Sequence, residues 1–317
     1  MSFSGMVKEE LSRQTSTARH CRIAETAALL SACGRITKDG SLRFQTENDA
    51  VVRKYFTLLK KTFNIDTEIA IRESSLLKKG NVYHIEITDP LQVQNVLQGT
   101  KLSVNEADRG TLFPENGLIT QQNCCKRAFI RGAFLASGSI SDPEKGYHFE
   151  IVCATVHKAV QLQEIMNDFG VDAKIVQRKK HFVVYLKEGS QIVDMLNVMG
   201  AHVSLMELEN VRILKEMRNS VNRKVNCETA NIHKTVSAAV RQIEDIRYIQ
   251  QKIGFEQLSE GLAEIARLRL EQPEATLKEL GMMLSTPVGK SGVNHRLRKL
   301  SDIAETLRDN EEENYYD

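Results

Sequence analysis

The sequence predicts an α+β protein: a duplicated αββαββα domain followed by an all-α domain that ends in two helices joined by a tight turn. Three observations predict this. A segment repeats at an offset of 104 residues, each copy is followed by the same order of helical and alternating patterns, and the pattern turns wholly helical after Met206. The length agrees, because 317 residues exceed what one hydrophobic core usually serves.

The first element of each repeat is a helix rich in small residues. ETAALLSACGRI, from Glu25, lies over FIRGAFLASGSI, from Phe129, so Cys21 falls on Cys125, Ala24 on Ala128, Ala28 on Gly132, Ala32 on Ala136, Gly34 on Gly138 and Ile36 on Ile140. Small side chains every fourth residue let two helix backbones approach closely. The two copies are therefore expected to pack on each other, each ending at a glycine suited to a helix C-terminus.

The remaining elements follow in the same order in both copies. After Gly34 come a strand around Leu42–Thr46, a helix in VVRKYFTLLKKTFNI, and strands near Asp66–Ile71 and Val82–Thr88. After Gly138 come a strand at Tyr147–Cys153, a helix in VHKAVQLQEIMNDFGV, strands near Ala173–Val176 and Phe182–Leu186, and a helix near Gln191–Met199. Phe63 and Phe169, 106 residues apart, mark equivalent corners. The repeats are set at about 18–100 and 122–203, within a first domain of residues 1–218.

From Met206 a helical connector runs to Arg223-Lys224-Val225-Asn226, which is expected to interrupt it before a helix carrying Ile232, Val236, Val240 and Ile243 on one apolar face. A further helix spans about Gln257–Leu270 and stops at Pro273. Thr276 and Glu279 form a Thr-x-x-Glu capping box that starts the short helix LKELGMML. Ser285-Thr-Pro-Val-Gly289 is a forced turn, and the last helix begins near Ser291. This is a helix-turn-helix arrangement within residues 219–308.

In the last helix Val293, Leu297 and Leu300 are spaced to face the core, leaving Ser291, Asn294, His295 and Arg298 outward, with Arg296 and Lys299 at the margins. No acid occurs between Glu279 and Asp302, whereas Lys290, Arg296, Arg298 and Lys299 supply four positive charges. The second helix of such a motif places its N-terminal part in the major groove, where Ser291, Asn294 and His295 would meet base edges. Asn294 and Arg298 suit adenine and guanine, and Lys290 and Lys299 suit phosphate.

Charge and cysteine usage narrow the class. The net charge of +2 divides into +4 for residues 1–203, +3 for 204–308 and five acids in the tail 309–317, which reads as disordered. No run is apolar enough for a membrane span, and the early polar N-terminus argues against a secretory signal, so a cytoplasmic protein is expected. Cys21, Cys33, Cys124, Cys125, Cys153 and Cys227 show neither a CxxC pair nor a Cys/His spacing typical of zinc sites, and read as reduced, mostly buried thiols.

The duplicated unit resembles the LAGLIDADG homing endonucleases. Its pairing with GKSGVNHRLRKL resembles the WhiA family of Gram-positive bacterial regulators, from about Ala18 to Leu307. In the nucleases an acid just before each terminal glycine binds the divalent cation. Here those positions hold Cys33 and Ser137, and Ser31 and Leu135 two residues upstream are not acidic either. Neither thiol nor hydroxyl replaces a carboxylate at a Mg²⁺ site. Asp39 and Asp142, beyond the helices, read as turn residues.

No catalytic, cofactor-binding or metal-binding residues are therefore expected. The resemblance implies a monomeric, nucleoid-associated regulator of cell division, chromosome segregation or sporulation. It would bind double-stranded promoter DNA through a module similar to the promoter-reading region of sigma factors, with another transcription regulator or RNA polymerase as a further partner. A scaffold protein of the division machinery and an active endonuclease are the alternatives. In the first domain Arg178, Lys179, Lys180 and His181 suit either phosphate contact or solvation, and Lys60–Lys61 and Lys78–Lys79 read as solvated surface.

Overall fold

The computed structural model describes residues 1–73, 81–105, 110–115 and 117–316. The chain divides into two compact units, Met1–Glu216 and Met217–Asp317.

In the first unit the expected αββαββα order occurs twice. The first copy runs α2 (Arg19–Cys33), β1 (Gly34–Ile36), β2 (Leu42–Thr46), α3 (Asp49–Phe63), β3 (Ile69–Glu73), β4 (Asn81–Ile87) and α4 (Pro90–Thr100). The second runs α5 (Asn123–Ser137), β7 (Gly138–Ile140), β8 (Phe149–Cys153), α6 (Val156–Asn167), β9 (Lys174–Arg178), β10 (His181–Leu186) and α7 (Gly189–Met199). Between them lies an added antiparallel pair, β5 (Leu102–Asn105) and β6 (Thr111–Pro114), which extends the first sheet to β3-β4-β2-β1-β6-β5. The second sheet keeps the basic order β7-β8-β10-β9. In β2 and β8 alternate residues are buried, so Leu42, Phe44 and Thr46 in one sheet, and Phe149, Ile151 and Cys153 in the other, face the helices.

The helices α2 and α5 pack along their length as the small residues require. A Cβ at Gly132 would lie 2.6 Å from the Glu25 carbonyl oxygen and 2.9 Å from Ala28 Cβ, so only glycine admits this approach. Each motif helix ends at its expected glycine cap, but in extended rather than left-handed backbone. Gly34 and Gly138 have φ of −94° and −82°, and each passes directly into a strand. They are needed for space, since a Cβ there would sit 2.6 Å from the Leu30 carbonyl oxygen or 2.7 Å from that of Phe134.

Two further parts of this unit lie outside the repeats. Helix α1 (Phe3–Arg13) is started by the Ser2 hydroxyl, which accepts from Gly5 N at 3.1 Å, and it buries Phe3, Val7 and Leu11 at four-residue spacing. The Glu10 carboxylate accepts from Val203 N at 2.8 Å and Ser204 N at 3.0 Å, so it compensates free donors in the first turn of α8 (His202–Lys252).

Helix α8 corrects one expectation. It runs without a break through Arg223–Asn226, because no glycine or proline occurs between His202 and Lys252. The helical spacing of Ile232, Val236 and Val240 holds, but these side chains are 63%, 55% and 49% exposed. The core of the second unit instead draws on the end of α8, through Ile246 and Ile249, and on α9 (Glu260–Glu271), α10 (Leu277–Met283) and α11 (Lys290–Tyr316). The last helix continues through the segment expected to be a disordered tail.

Candidate nucleic-acid interface

The turn between α10 and α11 is built from local chemistry. Thr276 Oγ1 accepts from Glu279 N at 3.3 Å while the Glu279 carboxylate accepts from Thr276 N at 2.7 Å, completing the capping box. Those hydrogen bonds hold the Glu279 carboxyl below the usual carboxylate range. Val288 N donates to Gly281 O at 3.0 Å, and a Cβ at Gly281 would lie 2.2 Å from the Val288 carbonyl oxygen, so the chain can close back on α10 only over a glycine.

Two charged residues brace the connections on either side of α10. Glu264 on α9 accepts from Ser285 N at 2.5 Å. The buried Arg269 donates to Ala275 O at 2.6 Å and to Gln242 Oε1 at 3.2 Å. On α11, Ser301 Oγ and Arg308 Nη2 donate to the buried Asp245 of α8 at 2.7 and 2.8 Å, which fixes the helix about its long axis.

That rotation decides which side chains face solvent. Val293, Leu297 and Leu300 are at most 1% exposed, in the core as their spacing requires. Lys290, Ser291, Asn294, His295, Arg298 and Lys299 are all exposed along the first turns of α11. Among the described residues none of Lys290, Arg298 and Lys299 pairs with a carboxylate. Arg296 separates from this group, being half-buried, with its Nη1 3.5 Å from Gly261 O on α9, so it packs within the unit.

The helix ends that carry the cation site in a LAGLIDADG nuclease look different here. Ser137 Oγ donates to Val152 O at 2.8 Å, and Lys158 Nζ donates to Ser31 O at 2.6 Å. Cys33 is half-buried, and burial pushes its thiol up to about 11, with the Lys8 ammonium acting in the opposite direction. Asp39 accepts from Thr37 Oγ1 and from Ser41 Oγ, and Asp142 accepts from Glu144 N at 3.0 Å, both within turns.

On the sheets, Arg178 pairs with Glu150 at 2.8 Å, whereas Lys179, Lys180 and His181 are exposed at the β9–β10 turn. Lys60 pairs with Asp66, and Lys78 and Lys79 lie outside the described residues. A cleft beside β3 and β4 is lined by Asp66, Glu68, Glu86 and Asp89 with Arg43, and Arg43 is already paired with Glu86 at 2.8 Å.

Two groupings are concealed in the sequence. Glu25 is fully buried against Lys54 at 3.0 Å and receives two hydrogen bonds from Arg131, at 2.9 and 3.2 Å. Burial holds the Lys54 ammonium below the usual lysine range, opposed by the Glu25 carboxylate, and its Nζ also donates to Gln14 O. The second grouping brings His20, Cys21, Cys124 and Cys125 together at the start of α2 and α5. Burial, with the neighbouring thiols, pushes Cys125 up to about 12. The expectation of mostly buried thiols holds for Cys21, Cys125 and Cys153, whereas Cys124 and Cys227 are exposed. The usable signal was the repeat offset, which pairs His20 with Cys124 as it pairs Cys21 with Cys125.

Fold and site together define a LAGLIDADG-type repeat pair joined in one chain to a helix-turn-helix module. Family profiles match all three parts: the WhiA N-terminal LAGLIDADG-like domain over residues 19–103, the WhiA LAGLIDADG-like domain over 126–218, and the WhiA C-terminal HTH domain over 221–304. The chain is 60% identical over 312 residues to a "Probable cell division protein WhiA" of Lachnoclostridium phytofermentans, covering 97% of this chain and 100% of that protein. A protein of the same description from Alkaliphilus oremlandii is 50% identical over 315 residues, covering 98% of each. The chain belongs to the WhiA family. Among solved structures, full-length DUF199/WhiA from Thermatoga maritima shares the fold with a TM-score of 0.60 at 24% identity, covering 96% of this chain and 99% of that one.

Proposed function

We propose that this protein is a sequence-specific DNA-binding transcription regulator without nuclease activity, in which α11 enters the major groove. The observation that carries the reading is the division of α11 into a buried apolar stripe and an exposed set of hydrogen-bonding and cationic side chains. Ser291, Asn294 and His295 lie at its N-terminal end, where helices of this motif meet base edges, with Arg298 one turn on. Lys290 and Lys299 flank them as phosphate anchors. The partner is double-stranded promoter DNA, with a second regulator or RNA polymerase as a further partner, and the setting is the cytoplasmic nucleoid.

The division-related names of its relatives connect this DNA binding with cell division, and the family resemblance extends it to chromosome segregation or sporulation. The LAGLIDADG-type unit supplies an auxiliary contact. Thiol and hydroxyl stand at positions 33 and 137, and the acid-lined cleft beside β3 and β4 suits a protein surface better than a phosphate backbone. With the pseudo-twofold partner inside the chain, a monomer suffices. Chromatin immunoprecipitation should give discrete genomic sites, and a plasmid-nicking assay with Mg²⁺ or Mn²⁺ should give no cleavage. Diffuse recovery of the genome would favour the division-scaffold reading, for which the exposed Ile232, Val236 and Val240 of α8 offer an apolar ridge. Metal-dependent nicking abolished by substitution within the first unit would restore the nuclease.

A further inference from the structure

At the N-terminal ends of α2 and α5, remote in sequence from the helix-turn-helix, four potential metal ligands converge. His20 Nδ1 lies 3.1 Å from Cys125 Sγ, 3.4 Å from Cys21 Sγ and 4.0 Å from Cys124 Sγ, and all four ligand atoms fall within 4.8 Å of one another. We propose that His20, Cys21, Cys124 and Cys125 bind one Zn²⁺ ion, which staples the two repeats together.

The dimensions suit the ion. With Zn–S of about 2.3 Å and Zn–N of about 2.05 Å, a tetrahedral Cys3His site has S···N edges of about 3.6 Å and S···S edges of about 3.8 Å. The three nitrogen–sulfur separations here straddle that value, so small side-chain rotations close the cage. Three thiolates and an imidazole are a soft donor set that selects zinc over magnesium or calcium. Four protein ligands leave no open position, which is the pattern of a structural rather than a catalytic zinc.

The surroundings favour the charge that such a site carries. Three thiolates around a divalent cation leave one net negative charge, and this charge sits at the starts of two fifteen-residue helices. Neither helix has a side-chain cap at its N-terminus, so the positive ends of both face the cluster. The ligands occupy the second and third helical positions of α2 and of α5, related by the repeat offset, so each repeat contributes a matched pair. Below them Ala24 and Ala128 are buried between the helices, which places the cluster over the closely packed seam. Cys21 and Cys125 are buried, whereas His20 and Cys124 are exposed and give the ion a path of entry.

The test uses the full-length, tag-free protein, fully reduced and under argon. Elemental analysis after dialysis should find about one zinc per chain. Titration of the metal-free protein with Co²⁺ should give the sulfur-to-cobalt charge-transfer band and intense visible bands of a tetrahedral thiolate site, which Zn²⁺ then bleaches. Loss of one ligand in His20→Ala or Cys124→Ser should weaken Zn²⁺ binding by more than the roughly ten- to hundredfold that an outer-shell partner is worth. Cys227→Ser, an exposed thiol outside the cluster, should leave binding unchanged. Absence of stoichiometric zinc or cobalt binding by the reduced wild-type protein would overturn the proposal. An octahedral cobalt spectrum, or binding unaffected by both ligand substitutions, would do the same.

Discussion

The residues that decide this protein's behaviour are those whose surroundings leave no alternative partner. Glu25 is one, since among the described residues its carboxylate is the acid paired with the buried Lys54 ammonium and it also holds Arg131, which in turn donates to Met199 O at 3.1 Å. Removing one partner of a buried ion pair strands the other charge, so Glu25→Ala should destabilise the first unit by about 3–5 kcal/mol, read as a lowered urea midpoint. A midpoint within experimental error of the wild type would show that Lys54 finds another route to neutrality. Thr276 is a smaller case, because Thr276→Ala removes the α10 cap and should cost about 1 kcal/mol in the second unit. Arg296 tests how finely the interface is drawn. Its contact with Gly261 O predicts that Arg296→Ala lowers stability more than it weakens DNA binding, whereas Arg298→Ala should do the reverse.

At the scale of the element, the close approach of α2 and α5 makes a counterintuitive prediction. Glycine inside a helix ordinarily costs about 0.5–1 kcal/mol relative to alanine, yet a Cβ at position 132 would meet the Glu25 carbonyl oxygen at 2.6 Å. Gly132→Ala should therefore destabilise despite its better helix propensity, and a raised melting temperature would contradict the packing described here. The small-residue period that foretold this contact was legible because period and residue size are local properties. Other elements were legible for the same reason: β2 falls at the expected residues, α6 lies within its expected pattern, and α3 overlaps its own but starts two residues earlier, at Asp49. The three-residue strands β1 and β7 were not, being too short to show alternation and readable instead as the end of a helix. Helix α8 misled in another way. Its apolar spacing was read correctly as helical, but periodicity cannot say whether an apolar face has anything to pack against. The Glu25–Arg131 pair and the thiol cluster depend on contacts more than a hundred residues apart, to which local pattern is blind.

For the whole molecule, the two units carry different chemistry on their functional elements. The LAGLIDADG-type unit keeps its fold while the ends of its motif helices hold a half-buried thiol and a hydroxyl bonded to backbone. The second unit presents exposed cations and an exposed amide on α11, the groups on which the proposed DNA contact rests. If Lys290, Lys299 and two further cations neutralise phosphates, affinity should fall about a hundredfold between roughly 50 and 200 mM salt, from a slope of about −0.9 per contact. The most direct test is a gel-shift titration of full-length protein on a DNA site recovered from the genome, with Lys290→Ala and Arg298→Ala alongside the wild type and folding checked by circular dichroism. The account predicts that both variants bind more weakly, Lys290→Ala with a salt slope shallower by about one and Arg298→Ala with reduced preference for the site over unrelated DNA. Wild-type affinity, slope and preference in both folded variants would contradict it, and would place DNA recognition elsewhere than on α11.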